Sequence, residues 1–143
     1  MMAVPDLPNR IPQSSSVGAR AAFTRTLTEA DAALFIGSTW DINPLHTDDT
    51  YAARTRFKRR ILPGLLTASL VTHLGGLWAF MATEMRFEFL APVYPGETIT
   101  ATAEVIEADP SRNWVRLRCT CTNQDGVEVL HGDVFGFPGK FAA

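Results

Sequence analysis

The sequence predicts an α+β fold in which an antiparallel sheet packs around one long buried helix. The segment from Gly64 to Leu74 is apolar nearly all round, which is typical of a helix buried on most sides. Four later segments alternate apolar and polar residues with the period of two that strands show. With 143 residues and 46% hydrophobic side chains, the chain is long enough for one domain with a substantial core.

The N-terminal residues 1–20 are predicted to be a flexible leader, and 21–143 a single domain. Met1 to Ser16 contains three prolines and a serine triplet but no continuous apolar run, so a secretory signal is not indicated. The alternative for this segment is a tail that lies over the surface.

The first strand and helix are predicted because the spacing of apolar residues changes from that of a strand to that of a helix. Ala22 to Leu27 alternates as a short strand does, and Thr28 with Asp31 resembles a capping box that begins a helix. We expect Trp40, at the end of this helix, to cover the core. The helix spacing assigns its core face to Ala30, Ala33, Leu34 and Gly37.

The apolar run from Ile61 to Ala82 has the length of a membrane span and follows basic residues. Pro63 and Gly64 interrupt its start and Gly75-Gly76 its middle, so we expect a buried helix ending near Gly75 and then a strand. Turn signals at Pro95-Gly96, Asp109-Pro110 and Asp125-Gly126 separate the later strands. These strands are Met85 to Phe89, Ile99 to Val105, Val115 to Cys121 and Val127 to Phe137.

Net charge and cysteine content limit the binding partners and the cellular compartment that we expect. The net charge of −2 gives no electrostatic reason to expect nucleic acid or an anionic membrane as a partner. Cys119 and Cys121 are two positions apart in a predicted strand, so they share a face and cannot readily bond to each other. We interpret them as small buried hydrophobes, which favours a reducing, cytoplasmic location.

The segment from Trp40 to His46 holds the candidate catalytic residues, Asp41 and His46. Pro44 fixes its own φ and disfavours a helical Asn43, so the carboxylate and the imidazole should face each other across a bend. Such a pair can share one water, with the imidazole transferring a proton.

Two other readings of this segment remain open. The pattern Asp-x-Asn ahead of Pro can also be a simple Asx turn with a surface histidine nearby. A metal site is less favoured, because neither of the other two histidines, His73 and His131, falls at a zinc-type spacing, and helix N-terminus positions explain the two later aspartates. The oxygen and imidazole ligands such a site would use are Asp41, His46, Asp48 and Asp49.

The order of these elements resembles that of the MaoC-like dehydratases, the family that includes the (R)-specific enoyl-CoA hydratases. The likeness spans roughly residues 21 to 137 and rests on Asp41 to Asp48, Tyr51-Ala52-Ala53, Phe57 and Gly64 to Leu70. The resemblance implies a hot-dog fold, in which a curved sheet encloses the helix and two chains often join sheet edge to sheet edge.

The resemblance also implies roles for individual residues. Asp41 and His46 would hold the water that adds to the β-carbon of a trans-2-enoyl thioester, and the N–H of Gly64 would bind the thioester oxygen. Asn43, within the motif, would contact substrate. Many members have His before the Gly and Ser further along the helix, where this chain has Pro63 and Thr72. These departures bear on substrate choice, and Thr72 is kept as a candidate substrate-binding residue.

A basic cluster follows the motif, and it has two readings of equal weight. It is either a solvated loop or a binding site for the phosphates of coenzyme A, with Arg56 and Arg60 as the candidate contacts. The cluster consists of Arg54, Arg56, Lys58, Arg59 and Arg60.

The predicted function is (R)-specific hydration of an enoyl thioester, or the reverse dehydration, on coenzyme A and without a cofactor, by a homodimer or higher homo-oligomer. The alternative is a non-catalytic or regulatory subunit that binds acyl thioesters in a hetero-oligomer, although such a subunit would not need both Asp41 and His46. A hot-dog thioesterase would need a carboxylate on the central helix, and Gly64 to Gly76 contains none.

Overall fold

A computed structural model of the chain describes residues 17–139 and confirms the α+β class. The segment 1–16 of the predicted leader lies outside the described residues. The first strand begins within the predicted leader, one residue before the predicted domain. The elements are β1 (Arg20–Thr26), α1 (Glu29–Thr39), α2 (Pro44–Thr47), α3 (Asp49–Ala53), α4 (Gly64–Leu77), β2 (Met81–Phe89), β3 (Thr98–Asp109), β4 (Trp114–Thr122) and β5 (Glu128–Phe137).

The five strands form one antiparallel sheet in the order β1-β3-β4-β5-β2. α4 packs on one face of it, and the alternating strand residues of that face form the core with the helix. The helix contributes Leu66, Leu70 and Leu74, and the sheet contributes Ile99, Ala101, Ala103, Val105, Leu117, Cys119, Cys121 and Val134.

The opposite face of the sheet carries one row of alternating charge across all five strands. In sheet order the row is Arg20, Glu104, Arg118, Asp133 and Arg86, each directly opposite the next in strand register. Nε of Arg118 lies 2.7 Å from Oδ1 of Asp133, and Nε of Arg20 lies 3.6 Å from Oε2 of Glu104. Opposite charges at facing positions stabilise strand pairs, so each strand is matched to its neighbour in this register.

The predicted start of α1 is confirmed, but its predicted core face is wrong. Thr28 and Asp31 form the capping box. The buried position is Ala32, with Phe35 packed on the core beside it, whereas the predicted Ala30, Ala33, Leu34 and Gly37 are exposed. The helix is apolar on several sides, so periodicity alone did not identify the face that packs.

The prediction for Trp40 is also wrong, since 83% of its surface is exposed. Trp40 is the C-cap of α1 and has a left-handed backbone, with φ of 56°. This conformation ends the helix and turns the chain towards Asp41, and the indole does not reach the core.

The apolar run from Ile61 to Ala82 contains the loop before α4, the helix itself and the first residues of β2. The helix ends at Leu77, two residues after the predicted Gly75. Among residues 17–139, no helix is long and apolar enough to cross a membrane. The turns at Gly96 and Gly126 have φ of 95° and 76°, as the turn signals predicted. His73 is exposed and stacks on Phe23 with ring centroids 3.9 Å apart.

The two cysteines are buried on the core face of β4, as predicted from their spacing. Burial raises the pKa of Cys119 to about 12 and that of Cys121 to about 11, because the apolar core disfavours a thiolate. The neighbouring Cys121 adds to the effect on Cys119.

Candidate active site

The end of α1 positions Asp41. The left-handed Trp40 is followed by Asp41, whose N–H donates to Oγ1 of Thr39 at 3.2 Å. Oδ1 of Asp41 then accepts the N–H of Asn43 at 3.3 Å, which is the Asx turn considered from the sequence. That turn occupies one carboxylate oxygen and leaves Oδ2 for other contacts.

The short helix α2 positions His46, whose side chain is only 10% exposed. Nδ1 of His46 lies 2.8 Å from the carbonyl oxygen of Ile61. Because a carbonyl can only accept, Nδ1 carries the proton, and in the neutral ring Nε2 has the free lone pair. The backbone of Ile61 is also bound to α2, because its N–H donates to the carbonyl of Leu45 at 3.0 Å.

Nε2 of His46 and Oδ2 of Asp41 are 3.7 Å apart. This distance exceeds the roughly 2.7–3.2 Å of a direct hydrogen bond, but one water can lie within hydrogen-bond reach of both atoms. The turn and the facing pair are therefore compatible, because Asp41 uses one oxygen for each.

These two side chains open onto a cavity of about 440 Å³. Its polar lining includes Arg56, Gly64 and Thr67 besides Asp41 and His46. The rest of the wall is mainly apolar, which suits a ligand with a hydrocarbon part. The buried residues of that wall include Leu62, Val93, Val129 and Leu130.

Gly64 begins α4 on the wall of this cavity. The first amides of a helix have no intrahelical acceptor, and the N–H of Gly64 has no other acceptor among residues 17–139. The positive end of the helix dipole lies behind this donor. Pro63 is the N-cap and provides no side-chain hydrogen bond to this turn. The ring of Phe89 covers the Cα of Gly64 so closely that a Cβ would lie 2.7 Å from its Cε1 atom.

Two candidate residues from the sequence, Asn43 and Thr72, do not line this cavity. Oδ1 of Asn43 accepts the N–H of Leu45 at 3.0 Å and caps α2. Oγ1 of Thr72 donates to the carbonyl of Ser69 at 2.6 Å, and Thr72 lines a different cavity of about 280 Å³. The structure therefore gives Asn43 a capping contact, and its expected contact with substrate remains a prediction, as does that of Thr72.

The basic cluster divides into residues with different surroundings. Arg56 lies at the cavity with its guanidinium carbon 4.8 Å from the ring centroid of Phe57. Arg60 binds Oδ1 of Asp49 at 2.7 Å and Oε1 of Glu29 at 2.9 Å, and these bonds raise its pKa above the ordinary value. The guanidinium of Arg60 thus ties α1 to α3, which leaves Arg56 better placed to meet a ligand.

The ligands considered for a metal site are separated by the fold. Asp48 caps α3 by accepting the N–H of Tyr51 at 2.9 Å, and Asp49 pairs with Arg60. Within the described part of the chain, no group of three or more His, Cys, Asp or Glu side chains could hold a metal ion.

Sequence reasoning missed Thr67, a buried residue on the cavity wall. It lies among the small residues of α4, between Leu66 and Ala68, and nothing in the periodicity sets its hydroxyl apart from that of Ser69.

The family model of the MaoC-like domain matches residues 13–124. The chain belongs to the MaoC-like domain family. This membership confirms the resemblance inferred from the motif. Among curated relatives of this MaoC-like chain, the (R)-specific enoyl-CoA hydratase of Rhodospirillum rubrum is 37% identical over 121 residues, which cover 81% of this chain and 83% of that protein. The 3-hydroxybutyryl-CoA dehydratase of Methylorubrum extorquens is 37% identical over 122 residues, which cover 82% of this chain and 76% of that protein.

Solved structures confirm the hot-dog fold of this MaoC-like chain. An (R)-hydratase from A. caviae superposes with a TM-score of 0.83 at 30% identity, covering 90% of this chain and all of that one. The described sheet order and the position of α4 against the sheet are therefore those of a known hydratase architecture.

Proposed function

We propose that this MaoC-like chain is a hydro-lyase that catalyses (R)-specific hydration of a trans-2-enoyl thioester of coenzyme A and the reverse dehydration. The observation that carries the proposal is the facing pair Asp41 and His46 at the mouth of a mainly apolar cavity that also contains the N-terminus of α4. The names of the curated relatives support the reaction class.

Water activation follows from the tautomer of His46. A water between Oδ2 of Asp41 and Nε2 of His46 loses a proton to Nε2 as its oxygen bonds to the β-carbon of the substrate. A proton is then returned to the α-carbon, so that one water has been added across the double bond. The charge of Asp41 stabilises the imidazolium that forms in between.

The thioester is activated at the other side of the cavity. When water adds to the β-carbon, electron density moves to the thioester oxygen, and the N–H of Gly64 with the helix dipole stabilises this developing negative charge. One donor of this kind is typically worth about 2.7–4 kcal/mol of barrier.

Coenzyme A specificity would come from the loop at the cavity. Arg56 lines the cavity and is exposed, so its guanidinium can bind a phosphate of the nucleotide part while the acyl group occupies the interior. The reaction needs no cofactor or metal, because the groups described transfer protons and stabilise charge themselves.

A homo-oligomer in the cytoplasm is the expected form of the protein. β2 is an edge strand of the sheet, and it exposes Met81, Met85 and Phe89, which a second copy could cover. Two buried free thiols are suited to a reducing compartment.

The decisive test uses the purified chain with trans-2-butenoyl-CoA and measures the configuration of the 3-hydroxyacyl product. We expect the (R) product from the wild type and a rate lowered at least a hundredfold in Asp41→Asn. An (S) product would contradict the proposed stereochemistry. If the wild type binds the thioester but forms no product, the alternative of a non-catalytic subunit in a hetero-oligomer would be the better account.

A further inference from the structure

The hydroxyl of Thr67 is a buried polar group to which the described protein gives no partner. Thr67 is 3% exposed, and its Oγ1 has no hydrogen bond to any of residues 17–139. Two other hydroxyls of α4 behave differently, because Ser69 donates to the carbonyl of Leu66 and Thr72 to that of Ser69, both at 2.6 Å. Helical Ser and Thr commonly satisfy themselves in this way, so the unpaired hydroxyl of Thr67 requires an explanation.

The position of Thr67 on α4 brings its hydroxyl to the reaction cavity. Thr67 lines the same cavity as Asp41, His46 and Gly64. It follows Gly64 by three residues, so the two lie on one face of the helix about one turn apart. Side chains of a helix lean towards its N-terminus, so that of Thr67 leans towards the turn that Gly64 begins.

We propose that the hydroxyl of Thr67 donates a second hydrogen bond to the thioester carbonyl oxygen, beside the N–H of Gly64. This inference rests on the proposed function and makes Thr67 a catalytic residue. As the water oxygen bonds to the β-carbon, the electron pair of the double bond shifts and negative charge grows on the carbonyl oxygen. Thr67 keeps its proton throughout and acts by donating more strongly to the transition state than to the ground state.

Thr67→Val distinguishes a hydroxyl that serves the reaction from one that stabilises the fold, because loss of a stabilising hydroxyl would lower the melting temperature. Valine has nearly the same shape and would fill the same space without an unpaired hydroxyl. If the hydroxyl serves only the reaction, Thr67→Val should be at least as stable as the wild type while being slower, because a buried polar group without a partner destabilises the folded state.

The first experiment compares Thr67→Val, Thr67→Ser and the control Ser69→Ala in hydration of trans-2-butenoyl-CoA and in thermal unfolding. Ser69 is suited as the control because its hydroxyl is bound to the backbone of α4 and does not line the cavity. We expect kcat to fall at least tenfold in Thr67→Val, with little change in KM and no loss of thermal stability. Activity should return in large part in Thr67→Ser and stay near the wild type in Ser69→Ala.

The second experiment detects the hydrogen bond itself. Butenoyl-CoA labelled with ¹³C at the carbonyl is bound to the Asp41→Asn protein, which should not turn it over, and the carbonyl stretch is read by difference infrared spectroscopy. Adding Thr67→Val should move the stretch to higher wavenumber, whereas adding Ser69→Ala should not. An unchanged stretch, or a kcat equal to that of the wild type in Thr67→Val, would overturn the assignment.

The two proposals fail in different ways. A wild type that forms no hydration product would refute the proposed function, while the stretch of the bound thioester would still decide whether Thr67 contacts the carbonyl. An active wild type with an indifferent Thr67→Val would leave the hydratase intact and remove Thr67 from its mechanism.

Discussion

Oδ2 of Asp41 faces Nε2 of His46 across the bend that Pro44 introduces, at 3.7 Å. The gap is too wide for a direct hydrogen bond and too narrow for a water to lie on the line between the two atoms. A water bound to both must lie to one side of that line, and the open side is the cavity. The same distance that keeps the two groups apart would thus present their shared water to a substrate.

Because the two oxygens of Asp41 have different contacts, we expect Asp41→Asn and Asp41→Ala to have different effects. Asp41→Asn keeps an oxygen that can accept the N–H of Asn43, so the turn and the melting temperature should be preserved while hydration falls at least a hundredfold. Asp41→Ala should lose activity to a similar degree and also about 1 kcal/mol of stability, because the turn loses its acceptor. Thermal unfolding followed by circular dichroism, beside a stereochemical product assay, measures both. Equal stability of the two variants would show that the turn does not need the side chain.

Arg56 and Arg60 form a matched pair for testing the basic cluster. Arg56→Gln should raise KM for an enoyl-CoA and leave a short N-acetylcysteamine thioester almost unaffected, because only the first substrate carries phosphates. Added salt should imitate this substitution.

Arg60→Gln should instead lower stability by about 1 kcal/mol and affect both thioesters equally, since its carboxylate partners Glu29 and Asp49 are largely exposed and the ion pairs are screened. Steady-state kinetics with the two thioesters gives the answer. A phosphate-dependent effect of Arg60→Gln would return that residue to the binding site, as the sequence suggested.

Gly64→Ala should slow hydration through a steric effect on Phe89. The added Cβ would lie 2.7 Å from Cε1 of the ring, so the ring must move within the cavity it helps to line. The double variant Gly64→Ala with Phe89→Ala removes the clash and should recover part of the lost rate. Comparison of kcat for the two single variants and the double variant tests this. No recovery would indicate that the loss comes from the backbone of α4.

Cys119 and Cys121 should be inert towards thiol reagents in the folded protein. Burial raises the pKa of Cys119 to about 12 and of Cys121 to about 11, so at pH 8 almost no thiolate is present and the sulfurs are covered. Titration with an aromatic disulfide reagent should detect no thiol before denaturation and both afterwards. Rapid reaction of the native protein would reveal local opening of β4.

Removal of metal ions should leave hydration unchanged. The proposed steps use one imidazole, one carboxylate and helix N–H groups, and Asp48 and Asp49 are engaged elsewhere. Dialysis against a chelator followed by the hydration assay measures this. Activity lost on dialysis and restored by a divalent ion would favour the metal site instead.

The sequence predicted the parts of the fold that depend on strong local signals. The strands of period two, the glycine turns at Gly96 and Gly126 and the capping box at Thr28 were all confirmed. Where α1 is apolar on several sides, the packing face depended on contacts distant in sequence, and both its core face and the position of Trp40 were predicted wrongly.

The candidate site was predictable to the extent that it is local. Asp41 and His46 are close in sequence, and Pro44 constrains the bend between them. The carbonyl of Ile61, which fixes the tautomer of His46, and the ion pairs of Arg60 depend on how α1, α3 and the following loop pack together. Residue types and spacing do not encode those contacts, so only the three-dimensional arrangement could show them.

The charged row on the outer face of the sheet also bears on misfolding. If a strand shifts by two residues, its apolar side chains still face α4, so the core distinguishes poorly between the correct and the shifted pairing. A shift of β4 that moves Thr120 into the position of Arg118 would leave Glu104 and Asp133 without a facing cation, whereas the opposite shift would place Arg116 there. The outer face of the sheet therefore disfavours one direction of slip of β4 while the chain folds.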